Sequence, residues 1–359
     1  MISHRFINRH LLKRSGLSYL LSPLSFLNAF MQTWRRKLIR IGAFQAPCFV
    51  ISIGNITSGG SGKTPLTIHL AKALTGKGFK VAVSHRGYKG GFEHSPHLIS
   101  DEDSLLYPAS LCGDEAYLIA SRLKGIPVAV GRDRKAAISL ILGSHPDTQI
   151  VIMDDGFQHL KVRRNIDIAC FDADTGIGNG LLIPAGYLRE PLSALRDAQI
   201  IVINRKHPDA DISALNSHLR LLGGDIYTCD YRITMGRDFE GNPIPLELIK
   251  NKRCILVSGI ANPDSLTKSV HSLGIDIREH FAFPDHYSYS GQSSVSDIIT
   301  YCKDNSIERI VCTEKDIMKL SRHQDIQALL TALVLDLACD DDAALMEDIM
   351  KRIENVRVS

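Results

Sequence analysis

The chain has 359 residues, of which 44% are hydrophobic and 23% charged, and its formal net charge is +3 at pH 7. This is the composition of an ordinary soluble globular protein, and the length predicts about two domains, each able to bury a core. The eight cysteines include no C-x-x-C pair and have no regular spacing. They indicate buried or incidental thiols in a reducing compartment, and they argue against a disulfide framework or a zinc site.

Positive charge is concentrated at the beginning of the chain. No Asp or Glu precedes Glu93, whereas 14 Lys and Arg residues do. The rest of the chain is therefore mildly acidic, and the basic first part predicts an anionic partner on one side of the protein.

The segment 1–45 contains an apolar stretch, Leu17 to Met31, with basic residues on both sides. These roughly 15 residues are too few to cross a bilayer, which needs about 20. No small-residue cleavage site of a signal peptide follows. Two interpretations stay open at this point: a helix lying in the membrane interface with its basic flanks on anionic headgroups, or a helix packed on the domain core.

The stretch Ile51 to Ala73 has the features of a phosphate-binding P-loop. An apolar strand leads into a glycine-rich turn, then Lys63-Thr64, then a helical pattern with apolar residues on one face. Glycines let the backbone direct its N–H groups at an anion, and the helix N-terminus adds partial positive charge. The residues predicted to bind the nucleotide are Thr57, Ser58, Gly59, Gly60, Ser61, Gly62, Lys63 and Thr64.

Two side chains of this loop have specific roles. Lys63 can reach the β- and γ-phosphates, and the Thr64 hydroxyl can bind Mg²⁺. Thr57 stands where the general P-loop pattern has glycine. A glycine-rich turn with a chance Gly-Lys-Thr is therefore the alternative.

Charged residues follow three further predicted strands. Arg86 follows Lys80 to Ser84 and Arg134 follows Val128 to Val130, at the edge where open α/β sheets bind ligands. Arg86 either holds an anionic group or is a surface arginine. A buried strand over 149–153 ends in two acids, which hold Mg²⁺ in P-loop proteins or simply form an Asp-Asp-Gly turn. These acids are Asp154 and Asp155.

Asp114 opens a helix predicted from Cys112 to about Leu123, where an acid is usually a helix cap or a dipole partner. Residues 89–111 before it are predicted to be a loop. His286 follows a strand in the second half of the chain and lies beside an acid and aromatics. It is either a proton-transfer group or an ordinary turn histidine.

The order of strands and helices predicts a P-loop NTPase-like α/β fold. Its doubly wound, mostly parallel sheet of six strands would occupy residues 46–225. A second, smaller α/β lobe is predicted over 226–337, and a C-terminal helix over 338–359 is expected to pack back on the first domain. Two segments, Ile226 to Ile233 and Leu333 to Leu337, are expected to pair as a connector between the lobes.

These motifs closely resemble those of the tetraacyldisaccharide 4′-kinase family of lipid A synthesis in Gram-negative bacteria. The resemblance covers nearly the whole chain, and its most specific part is the Asp-Asp-Gly-Phe-Gln-His run beside this P-loop variant, in which Thr57 is ordinary. It rests on Gly54-Asn55, Gly59 to Pro65, Ser84 to Tyr88, Gly113 to Glu115, Gly131 with Arg134, Asp154 to His159, Pro184 to Pro191, Gly259 to Pro263, Phe283 with Asp285-His286, and Thr313 to Asp316.

The resemblance implies transfer of the ATP γ-phosphate to the 4′-hydroxyl of a lipid-anchored tetraacyldisaccharide 1-phosphate, giving lipid IVA. It implies ATP and Mg²⁺ as cofactors and a monotopic enzyme on the cytoplasmic face of the inner membrane, attached through the N-terminal segment. No nucleic acid and no obligate protein partner is expected.

The same resemblance suggests roles for single residues. Asp114 and His286 would form a dyad that activates the acceptor hydroxyl, with Lys63 as the third catalytic residue. Asp155 would lie at Mg²⁺ with Asp154 beside it. The residues assigned to substrate binding are Arg86, Arg134 and Gln158.

Two other functions are weighed against this one. A membrane-associated P-loop ATPase of the partitioning type would be a mechanical switch. Such proteins use a Lys-Gly-Gly-x-Gly-Lys-Thr loop, and the position of the signature lysine is Ser58 here. A nucleotide-binding scaffold without catalysis is the other, and the acids and histidine at strand ends argue against it.

Overall fold

The chain folds into two units, and the second is inserted in the sequence of the first. A computed structural model describes residues 11–206, 209–260, 263–285 and 287–358. The first unit contains the chain up to Tyr231 together with the part from Leu337 onward, and the second is Arg232–Asp336.

The described part of the chain contains strands β1 to β13 in sequence order. They are β1 Phe49–Gly54, β2 Val81–His85, β3 His97–Ser100, β4 Val128–Val130, β5 Ile150–Asp154, β6 Ile166–Asp172, β7 Ile200–Arg205, β8 Asp225–Arg237, β9 Pro243–Ile244, β10 Cys254–Ser258, β11 Ile277–Ala282, β12 Arg309–Thr313 and β13 Leu330–Cys339.

The helices are numbered α1 to α12 over the same described residues. They are α1 Gly16–Ile39, α2 Lys63–Gly76, α3 Ala109–Cys112, α4 Asp114–Arg122, α5 Arg134–Ser144, a 3₁₀ helix Leu192–Asp197, α6 Ser213–Arg220, α7 Leu246–Lys250, α8 Pro263–Ser272, α9 Gln292–Asp304, α10 Glu314–Leu320, α11 Gln324–Gln327 and α12 Asp342–Val358.

The first unit is built on a mostly parallel sheet with the strand order β8-β7-β6-β1-β5-β2-β4-β3. Every neighbouring pair in this order is parallel except β3–β4, which is antiparallel. The residues of β1, β2 and β5 are buried throughout, as is typical of parallel strands whose two faces are both covered by helices. The predicted doubly wound sheet is confirmed.

One stretch of this unit was predicted wrongly. Residues 89–111 contain β3 and the short helix α3 instead of loop alone. The strand has only four residues and lies at the edge of the sheet, where it pairs with β4 alone. Its sequence therefore lacks the continuous apolar run that marks the central strands.

The last helix belongs to the first unit. Four apolar side chains on α12 join the same buried cluster as the P-loop strand and helix, namely Leu345, Met346, Ile349 and Ile353.

The second unit is a smaller α/β unit around β10. Its strand order is β11-β10-β12-β13, and all three pairs are parallel. The short strand β9 pairs antiparallel with the end of β8. Apolar side chains of α9, α10 and α11 cover one face and form a core that includes Ile298, Leu320 and Ile326.

The chain enters the second unit through β8 and leaves it through β13, and these two strands are hydrogen-bonded neighbours. Cys229 of β8 and Cys339 of β13 form a disulfide across 110 residues. The expectation that all cysteines are thiols is therefore wrong for this pair, because strand pairing brings the two sulfurs together and sequence spacing does not reveal it.

Helix α1 is attached to the first unit by polar side chains. Ser18 accepts a hydrogen bond from Asn179 Nδ2 over 3.4 Å, and Ser25 accepts one from the Leu182 backbone N–H over 2.9 Å. Arg36 is only 7% exposed. It forms salt bridges with Glu190, just before the 3₁₀ helix, and with Asp197, the last residue of that helix.

The apolar side chains of α1 point into solvent. Leu20 is 75% exposed, Phe26 and Phe30 are each 69% exposed, and Trp34 is 61% exposed. A surface helix ordinarily buries its apolar stripe and exposes its polar face, so the usual arrangement is reversed here. Among the described residues, no helix combines the length and the hydropathy that crossing a membrane would need.

Candidate active site

The P-loop connects the end of β1 to the beginning of α2. Gly62 has a φ of +83° and caps α2, a conformation that favours glycine because a Cβ would be strained there. A side chain at Gly62 would also collide with Asn204 and Tyr231. The loop therefore leaves the N–H groups at the start of α2 free of side-chain capping, as an anion site requires.

Three polar contacts hold the loop in shape. Gln158 Nε2 donates to the Asn55 carbonyl over 2.6 Å, and Asn55 Nδ2 donates to the Thr57 hydroxyl over 3.2 Å. Asn204 Nδ2, from the end of β7, donates to the Ser61 carbonyl over 2.6 Å. Gln158, which was predicted to bind substrate, thus contacts the backbone of the P-loop through its side-chain N–H.

The two acids at the end of β5, Asp154 and Asp155, contact residues at the start of α2. Asp154 Oδ2 accepts from the Thr64 hydroxyl over 3.1 Å, and Oδ1 accepts from the Thr67 hydroxyl over 3.2 Å. Lys63 Nζ lies 3.4 Å from Asp155 Oδ1. The predicted P-loop residues and the predicted metal-binding acids are therefore brought together.

The same two acids have opposite pKa shifts. Burial raises the pKa of Asp154, although His85 and Lys63 oppose this shift. Burial also acts on Asp155, but the positive charges of Lys63 and two arginines outweigh it and lower the pKa of that carboxyl. Asp155 therefore carries the more stable negative charge. Its backbone has a φ of +51°, an uncommon value for a residue with a side chain that is often seen at functional sites.

Oxygen atoms suited to Mg²⁺ converge between these elements. Within the described chain, Oδ1 of Asp155 is buried and has no hydrogen-bond partner, and the same holds for the Ser61 hydroxyl. Buried polar atoms ordinarily have partners. The hydroxyl of Thr64 and the carboxylates of Asp154 and Asp155 are hard oxygen donors of the kind that Mg²⁺ prefers, so the residues present fit this ion.

The predicted arginines contact protein groups. Arg134 is 2% exposed; it donates to the carbonyl of Asp154 and, over 3.4 Å, to the Ser84 hydroxyl. Burial lowers its pKa to about 10, so it stays charged at neutral pH. Arg86 is more exposed and pairs with Glu93 over 2.8 Å.

The predicted dyad is described only in part. Asp114 is the first residue of α4 and is half-buried, next to Gly113, which has a φ of +86°. His286 lies outside the described residues. The dyad therefore stays a prediction.

A sequence profile described as "LpxK: Tetraacyldisaccharide-1-P 4′-kinase" matches residues 17–354. The chain belongs to the tetraacyldisaccharide-1-phosphate 4′-kinase family. The family resemblance, the kinase class and the P-loop NTPase-like α/β fold predicted from the sequence are thus confirmed.

Relatives and a solved structure agree with this family. A tetraacyldisaccharide 4′-kinase of Pelobacter propionicus is 34% identical over 355 residues, covering 96% of this chain and 94% of that protein. One of Psychrobacter cryohalolentis is 33% identical over 350 residues, covering 94% and 87%. A crystal structure of LpxK from Aquifex aeolicus in complex with ATP superposes with a TM-score of 0.77 at 27% identity, covering 94% of this chain and 99% of that one.

Two residues near the P-loop, His85 and Glu115, were not predicted from the sequence to be site residues. His85 Nε2 lies 3.8 Å from Asp154 Oδ2 and 3.9 Å from Glu115 Oε2. His85 Nδ1 accepts from the Gly87 N–H over 2.9 Å, so Nε2 carries the proton that faces the two carboxylates. His85 is next to Arg86 in the sequence, and Glu115 is next to Asp114. This proximity to predicted site residues was the one sequence feature that could have indicated them.

Proposed function

We propose that this chain transfers the γ-phosphate of ATP to the 4′-hydroxyl of a tetraacyldisaccharide 1-phosphate and so forms lipid IVA. The observation that carries the proposal is the pairing of Lys63 with Asp155 and of Thr64 with Asp154 at the end of β5. The kinase family profile matches the chain over residues 17–354. The family match does not favour the alternative, a partitioning-type ATPase.

Residues 57–64 bind the ATP phosphates in this proposal. The N–H groups before α2 receive the phosphate oxygens, and Lys63 neutralises the charge on the β- and γ-phosphates. Lys63 pairs with Asp155 at 3.4 Å. This contact supports the proposed role of Lys63, because it holds the ammonium group beside the phosphate-binding loop until a phosphate replaces Asp155 as its partner.

Thr64, Asp154 and Asp155 would hold Mg²⁺. The ion would supply a positive charge that screens the phosphates and orients the γ-phosphate for transfer. The lowered pKa of Asp155 supports direct coordination by that residue, since its carboxylate keeps a negative charge for the ion. The two threonine hydroxyls bonded to Asp154 support a positioning role for the second acid.

Asp114 and His286 are proposed to remove the proton of the acceptor hydroxyl. A sugar hydroxyl is a weak acid, so a base must take its proton as the new P–O bond forms. Arg86 and Gln158 are proposed to contact the substrate. Arg134 would act at longer range, because its guanidinium is buried against the end of β5.

Helix α1 is proposed to rest on the cytoplasmic face of the inner membrane, where the lipid-anchored substrate is found. Its exposed leucines, phenylalanines and Trp34 would enter the lipid interface, and basic residues at its end, Arg35 and Lys37, would face anionic headgroups. The burial of Ser18, Ser25 and Arg36 on the opposite side supports this orientation.

The test is phosphate transfer to purified lipid acceptor with ATP and Mg²⁺, followed by chromatography of the lipid and quantification of free phosphate. A kinase forms labelled lipid in an amount that matches the ADP released. A mechanical switch releases free phosphate without labelling lipid, and a scaffold does neither. Either of the last two results would overturn the proposal.

A further inference from the structure

A cluster of metal-binding side chains includes His69, which lies in the middle of α2. Within the described chain, ligand atoms of His69, Cys339 and Asp342 lie within 4.8 Å of one another. The sulfur of Cys339 is joined to that of Cys229. These four side chains come from α2, β8, β13 and the first residue of α12, all within the first unit.

The chemistry of the four donors selects a class of metal ion. Two thiolates, one imidazole and one carboxylate are a donor set for zinc and similar borderline transition metals, which structural sites bind with four protein ligands in tetrahedral geometry. Mg²⁺ and Ca²⁺ prefer oxygen donors alone. The cluster is therefore distinct in chemistry from the magnesium-type site at Thr64 and Asp155.

The burial of the donors also suits a structural site. Cys229 is fully buried, His69 has 22% of its side chain exposed and Asp342 has 48% exposed. His69 Nε2 lies 2.6 Å from Asp342 Oδ1. If these two atoms move slightly apart, one ion can bind both of them. The exposed carboxylate leaves a path by which an ion can enter.

We propose that the reduced cysteine pair, His69 and Asp342 bind one zinc-class divalent ion, and that the Cys229–Cys339 disulfide is the metal-free, oxidised form of the same site. A dithiol reductant supplies two electrons and two protons to the disulfide, giving two thiols, and is itself oxidised to a disulfide. Each thiol then releases its proton as its sulfur binds the ion. Oxidation by a disulfide-class oxidant reverses these steps and expels the ion.

The site would fasten the C-terminal helix to the P-loop helix. Asp342 begins α12, and His69 lies on α2, six residues after Lys63. A bound ion links these two helices to the paired strands β8 and β13, so binding adds to the stability of the first unit by mass action. No C-x-x-C or His-x-His spacing marks the cluster in the sequence, since its members are distant along the chain.

The test uses the full chain without a histidine tag, reduced with a phosphine. A thiol titration first establishes that eight thiols are free instead of six. Zinc is then titrated against a chromophoric chelator, and Co²⁺ is added separately. The variants are His69→Ala, Asp342→Asn and Cys339→Ser, and the control is Cys48→Ser, which removes a half-buried thiol outside the cluster.

The proposal expects about one zinc per chain, a cobalt spectrum with thiolate charge-transfer and tetrahedral bands, and a rise in melting temperature on adding zinc. Each cluster variant should lose at least about tenfold in zinc affinity, and Cys48→Ser should not. Three results would overturn the proposal: no zinc bound by the reduced wild type, equal binding by Asp342→Asn and wild type, or a folded chain that still titrates only six thiols after treatment with the phosphine. Asp342→Asn keeps the shape of the side chain, so it tests the ligand even if the cysteine variant fails to fold.

Discussion

The hydroxyl of Thr64 lies 3.1 Å from Oδ2 of Asp154, so the first turn of α2 and the end of β5 are bonded to each other at the candidate phosphate site. This contact joins two segments that are 90 residues apart in sequence. Burial raises the pKa of Asp154, whereas burial of Asp155 is outweighed by the positive charges of Lys63 and two arginines, so Asp155 has the more stable negative charge.

Replacing Lys63 should impair both nucleotide binding and transfer. Lys63→Ala removes the ammonium group that neutralises developing phosphate charge, and loss of one such group costs about 10²–10³-fold in turnover. Lipid phosphorylation assays and ATP calorimetry measure the two effects. Lys77→Ala, at the exposed opposite end of the same helix, should leave both unchanged. Near-normal ATP affinity in Lys63→Ala would remove the basis of the P-loop assignment.

Asp154 should show opposite effects on stability and activity. Its folded-state pKa is raised by burial, so the folded chain binds more protons and its stability falls as the pH rises from the ordinary value through the raised one. Asp154→Asn cannot ionise, and we expect a higher melting temperature than wild type at pH 7, with a flatter dependence on pH above 4. Turnover with Mg²⁺ should fall about 10–100-fold or more.

The control for this variant is Asp147→Asn, since the Asp147 side chain is 62% exposed. Melting curves across the pH range and the lipid assay should both match wild type. A lower melting temperature for Asp154→Asn at pH 7 would show that the hydrogen bonds from Thr64 and Thr67 outweigh the cost of burying the charge.

The proposed dyad predicts a selective loss of chemistry. His286→Ala should lower turnover by about 10²–10⁴-fold, the range for general-base assistance, while ATP affinity stays nearly constant. Asp114→Asn should have a similar effect, and the double variant should be little worse than either single one because the two residues act as a unit. His218→Ala, an exposed histidine on α6, is the control. Near-normal turnover in His286→Ala would refute the dyad.

The outward face of α1 should control binding to lipid. Replacing Leu20, Phe26 and Phe30 by Ser removes three large apolar groups, each worth about 1.5–3 kcal/mol when buried. Binding to vesicles that contain phosphatidylglycerol should weaken by about 10³-fold in flotation assays. ATP binding should be unaffected, because these side chains are exposed to solvent.

A matched control for the α1 variant replaces three other exposed leucines by Ser. Leu106, Leu221 and Leu248 are 42%, 86% and 62% exposed and lie outside α1. Equal vesicle binding by the two triple variants would mean that overall surface hydrophobicity, and not this helix, attaches the protein to lipid.

The sequence predicted the elements whose signals are local. The P-loop, the acids after β5 and the central strands are each marked by a short run of residues, and the parallel sheet follows from their alternation with helices. The edge strand β3 was missed because its four residues carry no such run.

Contacts between distant segments were not predictable in the same way. His85 meets both Glu115 and Asp154 because β2 and β5 end, and α4 begins, in the same place. The disulfide partners are 110 residues apart. For α1, the apolar stretch was evident, but the buried Ser18, Ser25 and Arg36 depend on a loop that follows β6 in the sequence.

The return of α12 to the first unit affects how the protein is made. Domains of a nascent chain generally fold in order from the N-terminus, but here the apolar side chains that complete the core around β1 and α2 are synthesised after all of Arg232–Asp336. On the ribosome, the core of the first unit therefore stays incomplete while the inserted unit is translated.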